Sequence, residues 1–390
     1  MECCKKVTKE VKWVRVIKMG EKIREYFSKI EDPRCECDVK HKLTDILILV
    51  MCAALCGVDT LEKIVEYGKN KIDFLSEQFG ITKIPSRATL ARILAVIDGD
   101  MVGHLIVEIM REMIGISSEV IAVDGKTICS TKRSEIKKTL HILTAIITKT
   151  GVTLGQLAVD EKTNEIPCML PLLGMIDIKG KVITADAMHT QKDTVAEIVK
   201  HGGDYCIGLK GNQGNLHADV KLYFDDILSS KVKSDKELYR MASTSEKSRD
   251  RYEKRTCYLL NDISWLVGAK DWAGLKSVFA VKREVMKNGV KTEETSYYMS
   301  SLKTKPERFL EIVREHWKIE SLHWMLDVLF GEDDCRLMSE NAQKTMNVMR
   351  KLALCLHKNY KEKMKIKKAL SQSMFSCLLN DKLLLQILTK

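Results

Sequence analysis

Three acidic residues of this 390-residue chain stand where carboxylates do chemistry. Asp124 ends the apolar run Val120-Ile-Ala-Val123, and Asp186 ends Val182-Ile-Thr-Ala185. Carboxylates at the carboxyl ends of neighbouring strands converge on the crevice where open α/β sheets hold ligands. Two like charges placed there repel unless a cation lies between them, which points to a divalent metal. The commoner use of such an aspartate is a turn or helix cap, and that alternative stands beside the first. Glu320 is the third. Val313, Trp317, Glu320, Trp324 and Val328 fall at i, i+4, i+7, i+11 and i+15, one stripe of a helix, which would set Glu320 in a core-facing aromatic row. An unpartnered buried Glu costs several kcal/mol, roughly, so it needs either a metal shared with the two aspartates or an Arg/Lys partner. The same helix carries His316, Glu320, His323 and Asp327 at i, i+4, i+7 and i+11, a spacing open to zinc. It lacks the His-Glu-x-x-His order of zinc proteases, and no second ligand cluster accompanies it.

The elements that must position these residues follow from periodicity. Residues 22–115 read as helical: Ile23, Tyr26, Phe27 and Ile30 share a face, Asp32-Pro33 breaks the run, and 43–55 is too apolar to be exposed. Ser86 is a candidate N-cap for the helix that carries Leu90, Ile93, Leu94 and Ile97. From 119 onward, strands at 119–124, 140–148 and 153–159 precede a helix at 166–175, a strand at 181–185, a helix at 193–200 and a strand at 204–209. Three strands followed by alternating helices predict a mixed central sheet with helices on its faces. Residues 212–300 break this rhythm with a helix and several strands, and a long helix at about 306–330 and a basic helix at 339–360 follow.

Charge narrows the partner. The chain carries 64 Lys+Arg against 53 Asp+Glu, a net +11. Residues 344–368 hold nine basic side chains and one acidic, and residues 1–30 nine and four. Clustered charge of this kind suits a polyanion, nucleic acid first, or is a solvated helix face. The 13 cysteines are odd in number and form no Cys-x-x-Cys pair, so reduced thiols in a cytoplasmic protein are expected rather than a disulfide or zinc framework. The longest apolar run, 46–58, is too short to cross a bilayer, so no membrane partner is expected.

The chain resembles the H-repeat-associated insertion-sequence transposases, a branch of the DDE transposases with a ribonuclease-H-like core. The resemblance rests on Asp32-Pro-Arg34, Ile84-Pro-Ser86, Val123-Asp-Gly-Lys126, Leu154-Gly-Gln156, Val159-Asp-Glu-Lys-Thr-Asn-Glu165 and Thr184-Ala-Asp-Ala-Met188 with Gln191. It continues through Gly202-Gly-Asp-Tyr205, Leu209-Lys-Gly-Asn-Gln213, Tyr297-Tyr298, His316-Trp-Lys-Ile-Glu320, Leu322-His-Trp324 and Leu326-Asp-Val328, covering roughly 22–360. The fold it implies is α/β, a ribonuclease-H-like mixed sheet flanked by helices, with a β-rich insertion and an N-terminal helical domain. The boundaries expected are a basic extension at 1–21, a helical domain at 22–115, the first part of the catalytic domain at 116–211, the insertion at 212–300, the catalytic helices at 301–360 and an amphipathic tail at 361–390.

The same resemblance implies that Asp124, Asp186 and Glu320 are the catalytic triad and metal ligands. They would hold two Mg2+ ions about 3.5–4 Å apart, with Mn2+ able to substitute. The implied reaction is cleavage of double-stranded DNA at element ends and strand transfer into target DNA, by a protein that is a dimer when two ends are paired. Lys126, Lys210, Arg314 and Lys318 flank the acids in sequence and are expected phosphate contacts. The chain departs from the superfamily's Tyr-x2-Arg-x3-Glu-x6-Lys pattern, reading Val313, His316, Glu320 and Asp327 at those places, with Arg314 nearby. The other readings are a catalytically inactive transposase-derived DNA-binding protein and a metal-dependent nuclease without strand transfer.

Overall fold

The run at 43–55 is too apolar to meet water, and the fold hides it. In the computed structural model, which describes residues 21–35, 37, 39–115, 119–128, 140–159, 164–228, 238–248, 250–260 and 262–389, α1 (residues 21–28) stops before Asp32-Pro33. The basic extension at 1–21 lies almost wholly outside the described residues. In α2 (Leu43–Leu55) every side chain from Ile46 onward is buried. Around it stand α3 (Leu61–Asn70), α4 (Ile72–Phe79), α5 (Arg87–Val96) and α6 (Gly99–Ile114). The first turns of α3, α5 and α6 are capped by short polar side chains that accept otherwise orphan amides. Thr60 takes Lys63 N, Ser86 takes Thr89 N, and Asp98 takes Asp100 N and Met101 N.

The sheet begins with β1 (Val120–Ile128), β2 (Leu140–Ile147) and β3 (Thr153–Val159), all antiparallel neighbours. Helix α7 (Ile166–Gly174) leads to β4 (Val182–Ala185), and α8 (Lys192–Lys200) to β5 (Asp204–Leu209). β4 pairs parallel with β1 on one side and β5 on the other. The order β3-β2-β1-β4-β5 is the expected ribonuclease-H-like mixed sheet. After α9 (Gly214–Leu228) come β6 (Tyr239–Ser248), β7 (Arg251–Leu260), β8 (Ser277–Lys287) and β9 (Val290–Ser300). These four do not stand apart. β9 pairs antiparallel with β5, and the sheet runs on through β8, β7 and β6 to nine strands. The open hydrogen-bonding edge of β5 is thereby covered.

Helix α10 (Pro306–Phe330) ties both halves of the sheet together. Phe309, Leu310, Ile312 and Val313 share one apolar cluster with Val120, Val182 and Cys206 of the first five strands and with Cys257, Leu259 and Phe279 of the added ones. Helix α11 (Glu340–Lys363) corrects an expectation. Its basic residues suggested a polyanion-binding face, yet 342–357 are buried without a break. The helix runs between α2, α5 and α6, so its surface is interior. Lys344 Nζ pairs with Asp100 at 2.7 Å and Glu340 at 2.9 Å, and Lys351 Nζ donates to Thr144 Oγ1 at 3.0 Å and Gln156 Oε1 at 2.8 Å. The charge left to solvent lies further on, at Lys363, Lys365, Lys367 and Lys368. Helices α12 (Leu370–Leu379) and α13 (Asp381–Thr389) close the chain against α11. Among the described residues, no helix is long and apolar enough to cross a membrane, and the ten described cysteines are free thiols.

A carboxylate with no solvent exposure fastens these elements. Glu332, just past α10, meets Lys126 Nζ at 2.9 Å, Arg350 Nη1 at 3.3 Å and Asn347 Nδ2 at 3.0 Å. Burial works against its charge, but Arg350 and Lys126 overcome that and hold the carboxyl below its ordinary value. Removing one member leaves buried charge uncompensated. Glu332→Ala is therefore expected to lower the unfolding free energy by about 3–5 kcal/mol in urea denaturation, against under about 0.5 kcal/mol for Glu311→Ala on the exposed face of α10. Equal effects would remove the network from the fold's foundations.

Candidate active site

The site grows from one register. β1 and β4 pair in parallel with Val123 opposite Ala185, so Asp124 and Asp186, each one residue on, stand side by side at the same level and on the same face. Asp124 is still within β1, paired across to Thr144 of β2, while Asp186 begins the short turn Ala187–His189.

Helix α10 crosses above them. From its His316–Glu320–His323–Asp327 stripe, three side chains reach the aspartates and Lys126. His316 Nε2 lies 3.3 Å from Asp186 Oδ1, with Nδ1 3.1 Å from Thr184 Oγ1. His323 Nδ1 lies 3.5 Å from Asp124 Oδ2, and Asp327 accepts from Lys126. The row Trp317, Trp324 and Val328, expected to face the core, is instead 45%, 63% and 57% exposed. Core contact belongs to Phe309, Ile312, Ile319, Leu322, Leu326 and Phe330. Both rows keep helical spacing. His316, His323 and Asp327, in the sequence a possible zinc-binding face, are drawn toward Asp186, Asp124 and Lys126 instead. Glu320 is accordingly exposed rather than buried. It lines, with Asp186, Lys210, His217 and His316, a cleft of about 360 Å³.

Asp124 and Asp186 are thus adjacent, and Glu320 opens onto the cleft that Asp186 lines. Among the described residues no three His, Cys, Asp or Glu side chains stand at metal-ligand spacing, so the zinc reading of the α10 stripe has no cluster behind it. Of the basic residues, Lys210 is exposed at the cleft and helps hold Asp186 ionised. Arg314 is half-exposed and pairs with Glu246 at 2.6 Å. Lys318 is exposed on the outer side of α10, whereas the ammonium of Lys126 is largely buried and engaged by Asp327 and Glu332.

The two aspartates titrate in opposite directions. Burial, and then the charge of Asp186, push Asp124 up to about 6. Asp186 is held below its ordinary value, chiefly by the His316 hydrogen bond, against burial. His323 lies down at about 3, through burial and the charges of Lys351 and Lys126, so it stands neutral beside Asp124 with Nε2 buried and unpartnered. Asp124 and Asp186 are adjacent oxygen donors of the kind a divalent metal takes, and Glu320 does not complete a three-ligand cluster with them in this structure.

Several neighbours carried no sequence signal of their own. Lys351, lowered to about 8 by burial, caps the row Asp124–Thr144–Gln156 that runs across three paired strands. Glu165, inside one of the matching segments, packs on Gly125, where any Cβ would collide with its carboxylate. His141 Nε2 approaches Glu165 Oε1 at 2.7 Å, and His189 Nε2 hydrogen-bonds Oε2 at 3.0 Å. Burial would raise Glu165, but these two contacts prevail and hold it at about 2.

Comparison with known proteins extends this geometry. Residues 116–356 match the family model described as transposase DDE domain, and residues 24–108 the model described as DDE_Tnp_1-associated. The chain is 36% identical over 351 residues to "H repeat-associated putative transposase YhhI" of Escherichia coli strain K12, covering 87% of this chain and 91% of that protein. It is 35% identical over 350 residues to "Putative transposase YncI" of Escherichia coli O157:H7, covering 88% of each. Among solved structures, a piggyBac transposase synaptic complex with hairpin DNA aligns over 94% of this chain and 84% of its own, at 11% identity and a TM-score of 0.38.

The raised Asp124 has a consequence for stability. Its folded form holds a proton more tightly than the unfolded chain does, so the stability this confers at low pH is lost as pH rises from about 4 through about 6. In metal-free buffer, the stability of Asp124→Asn relative to wild type is expected to rise across that window by about 3 kcal/mol and then level off. Urea denaturation with EDTA at several pH values measures it. A gap that stays flat would mean Asp124 ionises like an ordinary surface carboxyl.

Proposed function

This chain belongs to the transposase DDE-domain family, and from that premise we propose that it cleaves DNA at the ends of an insertion sequence and transfers the freed strand into target DNA. The observation that carries the reading is the side-by-side placement of Asp124 and Asp186, each one residue past the paired ends of β1 and β4, beneath a helix that turns Glu320 to the cleft Asp186 lines.

In the proposed reaction a water oxygen attacks a backbone phosphorus at the element end and the P–O3′ bond breaks. The leaving oxygen takes a proton to give a free 3′-hydroxyl. That hydroxyl then attacks a phosphorus of target DNA, so one P–O bond forms as another breaks and no residue is covalently modified. Asp124, Asp186 and Glu320 would hold divalent metal ions, Mg2+ with Mn2+ able to replace it. Bound there, such ions supply Lewis-acid stabilisation of developing charge and lower the pKa of a coordinated oxygen. His316 keeps Asp186 ionised and oriented from one side, and neutral His323 lies against Asp124 without adding charge. Lys126 acts differently from a phosphate contact: by binding Asp327 and Glu332 it fixes where α10 lies. Lys210 at the cleft, Lys318 exposed on α10, and Arg314, half-exposed beside Glu246 of β6, are the set offered to DNA phosphates. Two element ends brought together imply a dimer during reaction, and the place of action is the cytoplasm, where a bacterial element's DNA lies.

On DNA carrying the flanking element ends, wild type is expected to nick in Mg2+ and not in EDTA. Glu320→Gln should lose at least about 100-fold in cleavage while keeping its affinity for DNA, since even groups that only support a metal ligand cost 10–100-fold. Binding without cleavage, in wild type as in mutant, would replace this reading with that of an inactive DNA-binding descendant. Nicking without joined products when a 3′-hydroxyl end is supplied would reduce it to a nuclease. Affinity should also fall with salt at a log–log slope of roughly −0.9 per phosphate neutralised, and Lys210→Ala should flatten that slope by about one such step.

A further inference from the structure

One carboxylate beside the site is committed to something other than ligation. Glu165 touches three pieces of chain at once. Its carboxylate sits over Gly125, the residue after Asp124, where nothing larger than a hydrogen fits. One oxygen faces His141 of β2, whose Nδ1 is in turn 2.7 Å from Thr127 Oγ1 on β1. The other is bonded to His189, a ring 1% exposed and three residues after Asp186. The turn that carries His189 is itself pinned, with Asn212 Nδ2 donating to Ala187 O at 2.7 Å and Thr190 Oγ1 to Gly208 O at 2.5 Å. Both oxygens of Glu165 are therefore spent on protein, one toward the segment of Asp124 and one toward the segment of Asp186.

We propose that Glu165 is a positioning residue that sets the separation of Asp124 and Asp186 by bracing β1, β2 and the turn after β4 against one another, and so tunes the site toward the smaller, geometrically stricter Mg2+. The parallel pairing of β1 and β4 ends at Val123 and Ala185, so backbone hydrogen bonds do not fix the two aspartates beyond that point. The His141–Glu165–His189 bridge spans the two segments from within the sheet side of the site. Mg2+ demands near-ideal octahedral geometry at 2.0–2.1 Å, so a loosened pair of carboxylates penalises it more than the more tolerant Mn2+. The inference rests on the metal-binding reading of Asp124 and Asp186 given above.

The test is metal binding by the full-length protein without DNA, following Mn2+ by the electron paramagnetic resonance of the free ion and Mg2+ by competition. Thermal unfolding of each variant is recorded alongside. Wild type should bind, and Asp124→Ala should not. Glu165→Ala is expected to fold and to bind Mn2+ about 10–100-fold more weakly, as supporting groups of metal ligands do. Its Mg2+ affinity should fall further, so that the preference for Mn2+ over Mg2+ rises at least about threefold. General loosening of the fold would weaken both ions alike. If Glu165→Ala fails to unfold cooperatively, His141→Phe, which removes one arm and keeps the ring's volume, must show the same change in ion preference. Wild-type affinities in both variants, or equal losses for both ions, overturn the positioning role while Asp124→Ala still upholds the metal site. Binding that survives Asp124→Ala overturns the metal site and this inference with it.

Discussion

The buried charge of Glu332 is the constraint from which the site's geometry descends. A carboxylate without solvent must be met by cations, and the two that meet it come from opposite directions: Lys126 from β1, two residues beyond Asp124, and Arg350 from α11. Asp327 shares Lys126, so the last turns of α10 are drawn onto β1. Once that end is fixed, the 1.5 Å rise and 100° step of a helix dictate the rest. His323 arrives over Asp124, His316 over Asp186, and Glu320 between them at the cleft. The site is arranged by an ion network that takes no part in the chemistry.

That network also explains why a strongly basic helix is found in the interior. Helix α11 joins the N-terminal helices to the sheet, and such a junction usually calls for apolar residues all round. Here Lys344, Arg350 and Lys351 each meet a carboxylate, hydroxyl or amide oxygen, so the desolvation cost is offset locally. Lys351 and Lys126 add positive potential on the side of the site away from the cleft, where they depress His323. Asp186, by contrast, feels His316 and Lys210 from the cleft side. Asp124, more deeply buried and facing the charge of Asp186, is raised, so two aspartates with the same sequence context titrate in opposite directions.

The extended sheet supplies rigidity of another kind. With β9 on β5, the edge next to the aspartates is covered, and α10 is gripped by apolar side chains from both the original and the added strands. The N-terminal half of α10 is thus set by packing, and its C-terminal half by packing together with the Lys126 and Glu332 charges. The stretch between them, which carries His316 and Glu320, is held from both ends.

The sequence by itself determined a good deal. Apolar runs ending in Asp124 and Asp186 marked two strands and their chemically important ends, because a run of β-branched residues broken by a carboxylate is a local signal. Ser86 as a cap, the apolar run at 43–55 and the break at Asp32-Pro33 are likewise written in nearest neighbours. The resemblance to the transposase family was carried by short contiguous motifs. Only the tertiary structure decided which stripe of α10 faces inward, because two stripes with equal helical spacing differ only in what lies across from them. It also decided that the charge of α11 is interior and that Glu165 spans β1, β2 and the turn after Asp186. Those outcomes depend on partners tens or hundreds of residues away along the chain, and no periodicity records where such partners will be.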